Sequence, residues 1–139
     1  MKVSDPKANP SGTFFYKIQG YDAKGYFINV LKRYNDFYEL HDWLSFRFEG
    51  LYIPEIPPKK AIGNKDSKFV EERRLLLEMF LVNLTRHTYL RQSEEYTAWV
   101  RSSSKNDMFT DLKIKTKKSI KLDELGDRVE RYSILIQDL

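Results

Sequence analysis

The feature that most limits what this chain can become is a single change of hydrophobic period across Lys32-Arg33-Tyr34-Asn35-Asp36-Phe37. Upstream, residue character alternates from one position to the next, the pattern of a strand with one face buried. Downstream, Phe37, Leu40, Leu44 and Phe48 fall at steps of three and four, one stripe of an amphipathic helix. A hairpin followed by helices gives an α+β fold. The junction also carries chemistry. Arg33 is held between rigid elements, and the planar fork of its guanidinium suits a phosphate bidentately. Tyr34 offers a flat face beside it. An arginine next to an aromatic is more often plain surface than a site, so the pair needs support from elsewhere in the chain.

Taken in order, Val3-Ser4-Asp5-Pro6 is a short extended segment and Asn9-Pro10-Ser11-Gly12 a turn. Thr13 to Gln19 reads as a half-buried strand, with Phe15, Lys17 and Gln19 alternating against Phe14, Tyr16 and Ile18. Asp22-Ala23-Lys24-Gly25 turns the chain, and Tyr26 to Lys32 alternates again with Phe27, Asn29 and Leu31 on one side. The short connector makes the two strands an antiparallel hairpin. Asn35 or Asp36 is placed to cap the helix that follows, and Gly50 to close it.

Ile53-Pro54-Glu55-Ile56-Pro57-Pro58-Lys59-Lys60 cannot be helical, because its prolines remove donors and push the preceding residues to extended geometry. It is a stiff, polyproline-like arm. Ala61 to Lys68 is a polar loop with one apolar residue, Ile62. Lys68 to Thr85 is the strongest helical pattern, with Phe69, Leu76, Phe80 and Leu84 on one face, Arg73 and Arg74 in its early turns, and Glu71 and Glu72 favouring its N-terminal dipole. After a break near His87-Thr88, Tyr96, Trp99 and Val100 mark a short helix. The chain thus divides into a domain over residues 1–101, a basic linker over 102–119 and an amphipathic helix over 120–139. Five lysines crowd into Lys113 to Lys121, the composition of a solvated tether, and Leu122, Leu125, Val129, Tyr132, Ile136 and Leu139 form a coiled-coil-like seam.

Composition narrows the function classes. The 139 residues suit one domain with a real core, and 14% aromatic residues argue against general disorder. No window holds the roughly 18 consecutive apolar residues of a membrane span, and Met1 to Asn9 lacks a secretory apolar stretch, so a soluble cytoplasmic protein is expected. With no cysteine, disulfides, thiolate nucleophiles and cysteine metal sites are excluded. His41 and His87 lack metal-ligand spacing and read as structural or surface groups. There is no Gly-x-Ser-x-Gly and no Walker-type loop, so neither an enzyme nor a cofactor is expected. A net charge of +4 admits an acidic partner without naming one.

Arg33-Tyr34 with Asp36-Phe37, then Pro54-x-x-Pro57-x-Lys59, then Phe69-x-Glu71-Glu72-Arg73-Arg74, in that order, resembles the phox-homology (PX) domain of the sorting nexins over about Val3 to Arg101. The opening Ser4-Asp5-Pro6 and the C-terminal seam are similar to the sorting nexins in which a BAR domain follows. The resemblance implies a three-stranded antiparallel sheet packed against a helical subdomain, with a C-terminal helical extension. It implies a module that binds phosphatidylinositol 3-phosphate and carries a trafficking protein to the cytosolic face of endosomal membranes. Arg33 would then pair with the 3-phosphate, Tyr34 lie under the inositol ring, Lys59 meet the 1-phosphate and Arg73 bond the hydroxyls at positions 4 and 5. Crowding near Arg73 would exclude 4- and 5-phosphates. Lys60 and Arg74 would add electrostatic support, while Ile62, Lys65 and Lys68 would meet the bilayer, each basic residue there adding roughly 1 kcal/mol. Sorting-complex proteins, and a second copy bound through the C-terminal helix, are the protein partners it suggests.

Two other functions fit parts of the pattern. The proline arm is a candidate ligand for an SH3 domain. Nucleic-acid binding through the basic surface fits less well, because the aromatics fall at core spacings rather than interleaving with lysines.

Overall fold

The computed structural model describes residues 1–59 and 66–102 of the chain. Three strands, β1 (Lys2–Ala8), β2 (Phe14–Tyr21) and β3 (Phe27–Arg33), precede four helices, α1 (Tyr34–Arg47), α2 (Ser67–Thr85), α3 (Thr88–Arg91) and α4 (Glu94–Arg101). The sheet is antiparallel in the order β1-β2-β3. The expected hairpin is present, β2 and β3 pairing from Phe15 with Arg33 at one end to Tyr21 with Phe27 at the other. The turn between them closes on Asp22, whose carboxylate accepts from the backbone N–H of Lys24 and Tyr26, both at 2.9 Å. Gly25 sits at φ 86°, where other residues are strained.

The short extended segment at the start is a full edge strand. Pro6, which has no N–H, lies where the register slips between Ser4 and Lys7, with Asp5 left-handed at φ 49°. A proline inside the run hides such a strand from period counting. Helix α2 covers its outer edge. The Val3 N–H donates to Glu78 at 3.0 Å and the Val3 carbonyl accepts from Arg74 Nη1 at 2.8 Å, so side chains satisfy backbone groups that have no strand beside them.

Pleating sends Val3, Tyr16, Ile18 and Ile28 inward to meet Phe37, Leu40 and Leu44 of α1 and the buried face of α2. The N-cap of α1 lies two residues before the expected Asn35. Arg33, still extended at φ −91° and ψ 166°, is the N-cap of α1, and Asp36 stands three residues later, accepting the Arg33 backbone N–H at 2.8 Å. Sheet pairing with Phe15 holds Arg33 extended, which moves the helix start back to Tyr34. The α2 stripe also differs. Val70, Leu77, Phe80, Leu81 and Leu84 are buried, whereas Leu76 is 44% exposed and Phe69 only half-buried. Three consecutive leucines, Leu75 to Leu77, permit several stripes, and Leu77 is the one in phase with both Val70 and Leu84 at seven-residue steps.

Residues 52–59 are extended without ladder bonds, as the prolines require. Two tyrosines pin the arm. Tyr89 Oη donates to the Tyr52 carbonyl at 2.6 Å, and Tyr34 Oη donates to the Pro57 carbonyl. Helix α4 docks through Trp99, whose indole N–H donates to the Asp36 carbonyl at 2.9 Å while its ring meets Phe37 edge-on. The proposed linker and C-terminal helix, like Lys60, Ile62 and Lys65, lie outside the described residues.

Candidate functional site

The period change places three neighbouring side chains in three directions. Lys32, in phase with Ile28, turns inward; Arg33 turns out at the strand end; Tyr34 opens α1. Arg33 keeps 38% of its side chain exposed and has its Nη2 3.4 Å from Asp36 Oδ1, a loose contact that leaves most of its donors to other partners.

Around Tyr34 the other expected residues gather. The Arg73 guanidinium lies 4.0 Å from the centre of the Tyr34 ring and 4.6 Å from that of Phe69. Arg73 Nε is buried and has no hydrogen-bond partner among the described residues. Lys59, leaving the proline arm, places its Nζ 4.1 Å from the centre of the Tyr38 ring, and Tyr38 and Tyr34 are 6.2 Å apart on successive turns of α1. Lys59 and Arg73 therefore meet one pair of neighbouring tyrosines although they come from distant parts of the sequence, and Arg33 precedes Tyr34 directly at the start of α1. Burial raises the Tyr34 phenol above its ordinary pKa, and the Arg73 charge offsets part of that rise.

Tyr34 is less open than the sequence implies. Its ring is 8% exposed because Arg73 covers it and Pro57 takes its hydroxyl. Arg74, one residue from Arg73 and so about 100° around the helix, is directed elsewhere. It bonds Glu71 at 2.7 Å and the Val3 carbonyl, and it approaches Glu78, an arrangement that ties α2 to β1. Lys68 is exposed in the first turn of α2, beyond the cap that Asp66 supplies. His87 packs between the rings of Tyr52 and Tyr89, and His41 against Phe80. No group of three or more candidate metal ligands occurs among the described residues, and none of the described helices is long and apolar enough to cross a membrane.

Sequence reasoning gave no site role to Tyr38 or Phe69 and did not place Lys32 inside. The first two stand four residues from Tyr34 and Arg73 respectively, on the same helix faces, so spacing could have found them. What the assembly offers is a planar fork, a point charge and a donor-bearing guanidinium over aromatic faces. Those groups have the chemistry to hold a phosphorylated ring without a covalent bond.

The PX domain family model matches residues 24–103. The chain belongs to the PX domain family. Among curated relatives, the vacuolar protein sorting-associated protein vps5 of Schizosaccharomyces pombe is 35% identical over 77 residues, which are 55% of this chain and 13% of that protein. The matched region spans less than a fifth of the length of such relatives, sorting nexin 1 of Arabidopsis thaliana at 19% being another. A designed CISK-PX domain superposes with a TM-score of 0.62 at 31% identity, covering 73% of this chain and 100% of its own. The SNX-BAR protein Mvp1, solved as a tetramer, shares the fold over 99% of this chain and 43% of its own, with a TM-score of 0.74 at 19% identity. Sheet and helices therefore follow the PX architecture, and the relatives include sorting nexins.

Proposed function

We propose that this PX domain binds phosphatidylinositol 3-phosphate and carries its protein to the cytosolic face of endosomal membranes. The observation that carries the reading is Arg73, half-buried with its guanidinium over the Tyr34 ring and its buried Nε without a hydrogen-bond partner among the described residues. A buried donor without an acceptor costs about 1–3 kcal/mol, a cost that an incoming hydroxyl or phosphate oxygen removes. In this reading Arg33 takes the 3-phosphate, Lys59 the 1-phosphate, and Arg73 the ring hydroxyls. Tyr34 acts mainly by holding Arg73 and the arm in place. Lys68 adds charge toward the bilayer, and Lys60, Ile62 and Lys65, which lie outside the described residues, are assigned the same role. Arg74 contributes through the β1–α2 contact rather than at the headgroup.

The SH3-ligand alternative loses ground on burial. Pro54 and Pro57 are packed into the domain and Tyr34 holds the Pro57 carbonyl, so the arm does not present a free polyproline face. Sedimentation with liposomes carrying each phosphoinositide, at two salt concentrations, tests the lipid reading. Arg33→Ala is expected to weaken 3-phosphate binding roughly tenfold to a hundredfold, the worth of a charged hydrogen bond. Equal, salt-sensitive binding of parent and variant to every anionic lipid would reduce the site to a generic basic surface.

A further inference from the structure

A cleft of about 640 Å³ lies between the β2–β3 turn and helices α3 and α4. It is far from the Tyr34 and Tyr38 pair. Arg33 pairs with Phe15 at one end of β2, whereas Tyr21 lines the cleft at the other, six residues away, or roughly 20 Å along the strand. Its charged lining is three cations, Lys24, Arg91 and Arg101, and one acid, Asp22. Asp22 is already used. Burial alone would raise its pKa, but the N–H groups of Tyr26 and Lys24 and the Arg101 guanidinium at 2.8 Å outweigh that and hold it below its ordinary value. The Thr85 carbonyl takes one donor of Arg91, at 3.2 Å, from the five that a guanidinium carries. Lys24 is exposed on the turn. Of the lining residues Tyr21 is 69% exposed, and outside the cleft its ring lies 5.6 Å from that of Phe27, 58% exposed, with Tyr26, 68% exposed, next to it in the turn. Arginine beside exposed aromatic surface is the composition of protein-interaction hot spots.

We propose that this cleft docks an acidic peptide segment of a soluble protein partner, its carboxylates meeting Arg91 and Lys24 and its apolar side chains lying on Tyr21 and Phe27. The choice of a soluble partner over a second lipid rests on the function proposed above. A bilayer engaged at the Arg33 end of the sheet leaves the opposite end facing away from the membrane. Lipid and peptide are then bound together, and the domain responds to both.

Amide NMR of the full ¹⁵N-labelled chain tests this, with acetylated hexaglutamate as probe, hexalysine as control, and soluble short-chain phosphatidylinositol 3-phosphate in a separate titration. Hexaglutamate is expected to shift the amides of Tyr21, Lys24, Arg91, Thr97 and Arg101, and hexalysine to leave them in place. Lys24→Glu, an exposed turn position, should weaken the probe several-fold, and Lys24→Glu with Arg91→Glu more than tenfold, whereas Arg33→Ala leaves it unchanged. The lipid should shift the Arg33 and Lys59 region in parent and cleft variants alike. Hexaglutamate shifts confined to the Arg33 end, no cleft shifts at millimolar probe, or cleft binding indifferent to Lys24→Glu with Arg91→Glu each overturn the proposal. Cleft shifts caused by the lipid, or by raising the protein concentration alone, also overturn it, assigning the cleft to a headgroup or to a second copy. A failed lipid titration beside intact peptide shifts removes the lipid reading and its argument from position, and leaves the peptide site standing on its charge.

Discussion

Replacing Lys32 with methionine should stabilise the domain at neutral pH and remove a specific part of its pH dependence. Lys32 is 2% exposed, and burial lowers its pKa from the ordinary 10.5 to about 8 against the opposing charge of Asp36. A base whose pKa falls on folding binds its proton more weakly in the native state, so stability is lowest below pH 8 and rises as pH climbs from about 8 toward 10.5. The difference of about 2.5 units corresponds to about 3 kcal/mol at pH 7, a ceiling, because the ammonium also donates to the Ser102 carbonyl and stands 4.7 Å from the centre of the Trp99 ring. Methionine keeps the unbranched stem and carries no charge, so Lys32→Met should gain about 1–3 kcal/mol at pH 7. Urea unfolding at pH 7 and pH 9.5 provides the measurement. The parent should become more stable by up to about 2 kcal/mol across that interval, and the variant should stay flat. Buried Tyr16 and Tyr96, whose phenols burial raises, act in the opposite direction and only above about pH 10, where the unfolded phenols ionise first. Parallel curves for parent and variant between pH 7 and 9.5 would refute the reasoning. The carbonyl and the indole would then offset the whole burial cost.

Other substitutions separate neighbouring roles. Arg73→Met should weaken liposome binding at least tenfold while changing unfolding free energy by less than about 1 kcal/mol, whereas Arg74→Met, which strips the Val3 carbonyl of its donor, should cost about 1–3 kcal/mol and spare lipid binding; both are read by sedimentation and urea melts. Leu77→Ala should destabilise by about 2–5 kcal/mol and Leu76→Ala by less than about 1, and similar costs would contradict the buried stripe. Tyr34→Phe should lose about 0.5–1.5 kcal/mol of stability with its Pro57 bond and reduce headgroup affinity only a few-fold, as expected of a residue that positions Arg73.

Much of the architecture is legible from spacing, because strand and helix impose different periods and the turns carry their own chemistry. Asn9 and Asp22 cap their turns with their own carboxamide and carboxylate, and Gly12 and Gly25 take the left-handed positions. Where reading failed, two signals competed. Pro6 argued against a strand that a bulge in fact accommodates. Lys32 is in phase with Ile28 and so belongs inside, yet its charge argues for solvent; phase prevailed because Trp99 and the Ser102 carbonyl receive it. Arg73 and Arg74 look equivalent in sequence. Only the rotation of α2, set by which leucine is buried, decides that one faces Tyr34 and the other Val3. The approach of Lys59 to Tyr38 and of Arg73 to Tyr34 follows from tertiary packing of the arm and α2 on α1, and residue order alone gives their types without their distances.

The junction from Lys32 to Asp36 explains why the site and the core cannot be altered separately. Sheet pairing fixes Arg33 in extended form, and that fixes its N–H to meet the Asp36 carboxylate. The same Asp36 receives the Trp99 indole on its carbonyl, and Trp99 in turn lies against Lys32 and Phe37. One aspartate therefore joins the exposed arginine to the centre of the helical layer. Asp36→Asn can keep the Arg33 backbone bond through its one carbonyl oxygen, while its amino group replaces the oxygen that faced Arg33 Nη2, so it frees the arginine with less loss at the helix start than Asp36→Ala would cause. If Asp36 merely restrains Arg33, Asp36→Asn should bind the 3-phosphate liposome as tightly as the parent or more tightly, since the arginine no longer has a carboxylate competing for its donors. Weaker binding with unchanged stability would mean that the carboxylate orients the guanidinium toward the lipid.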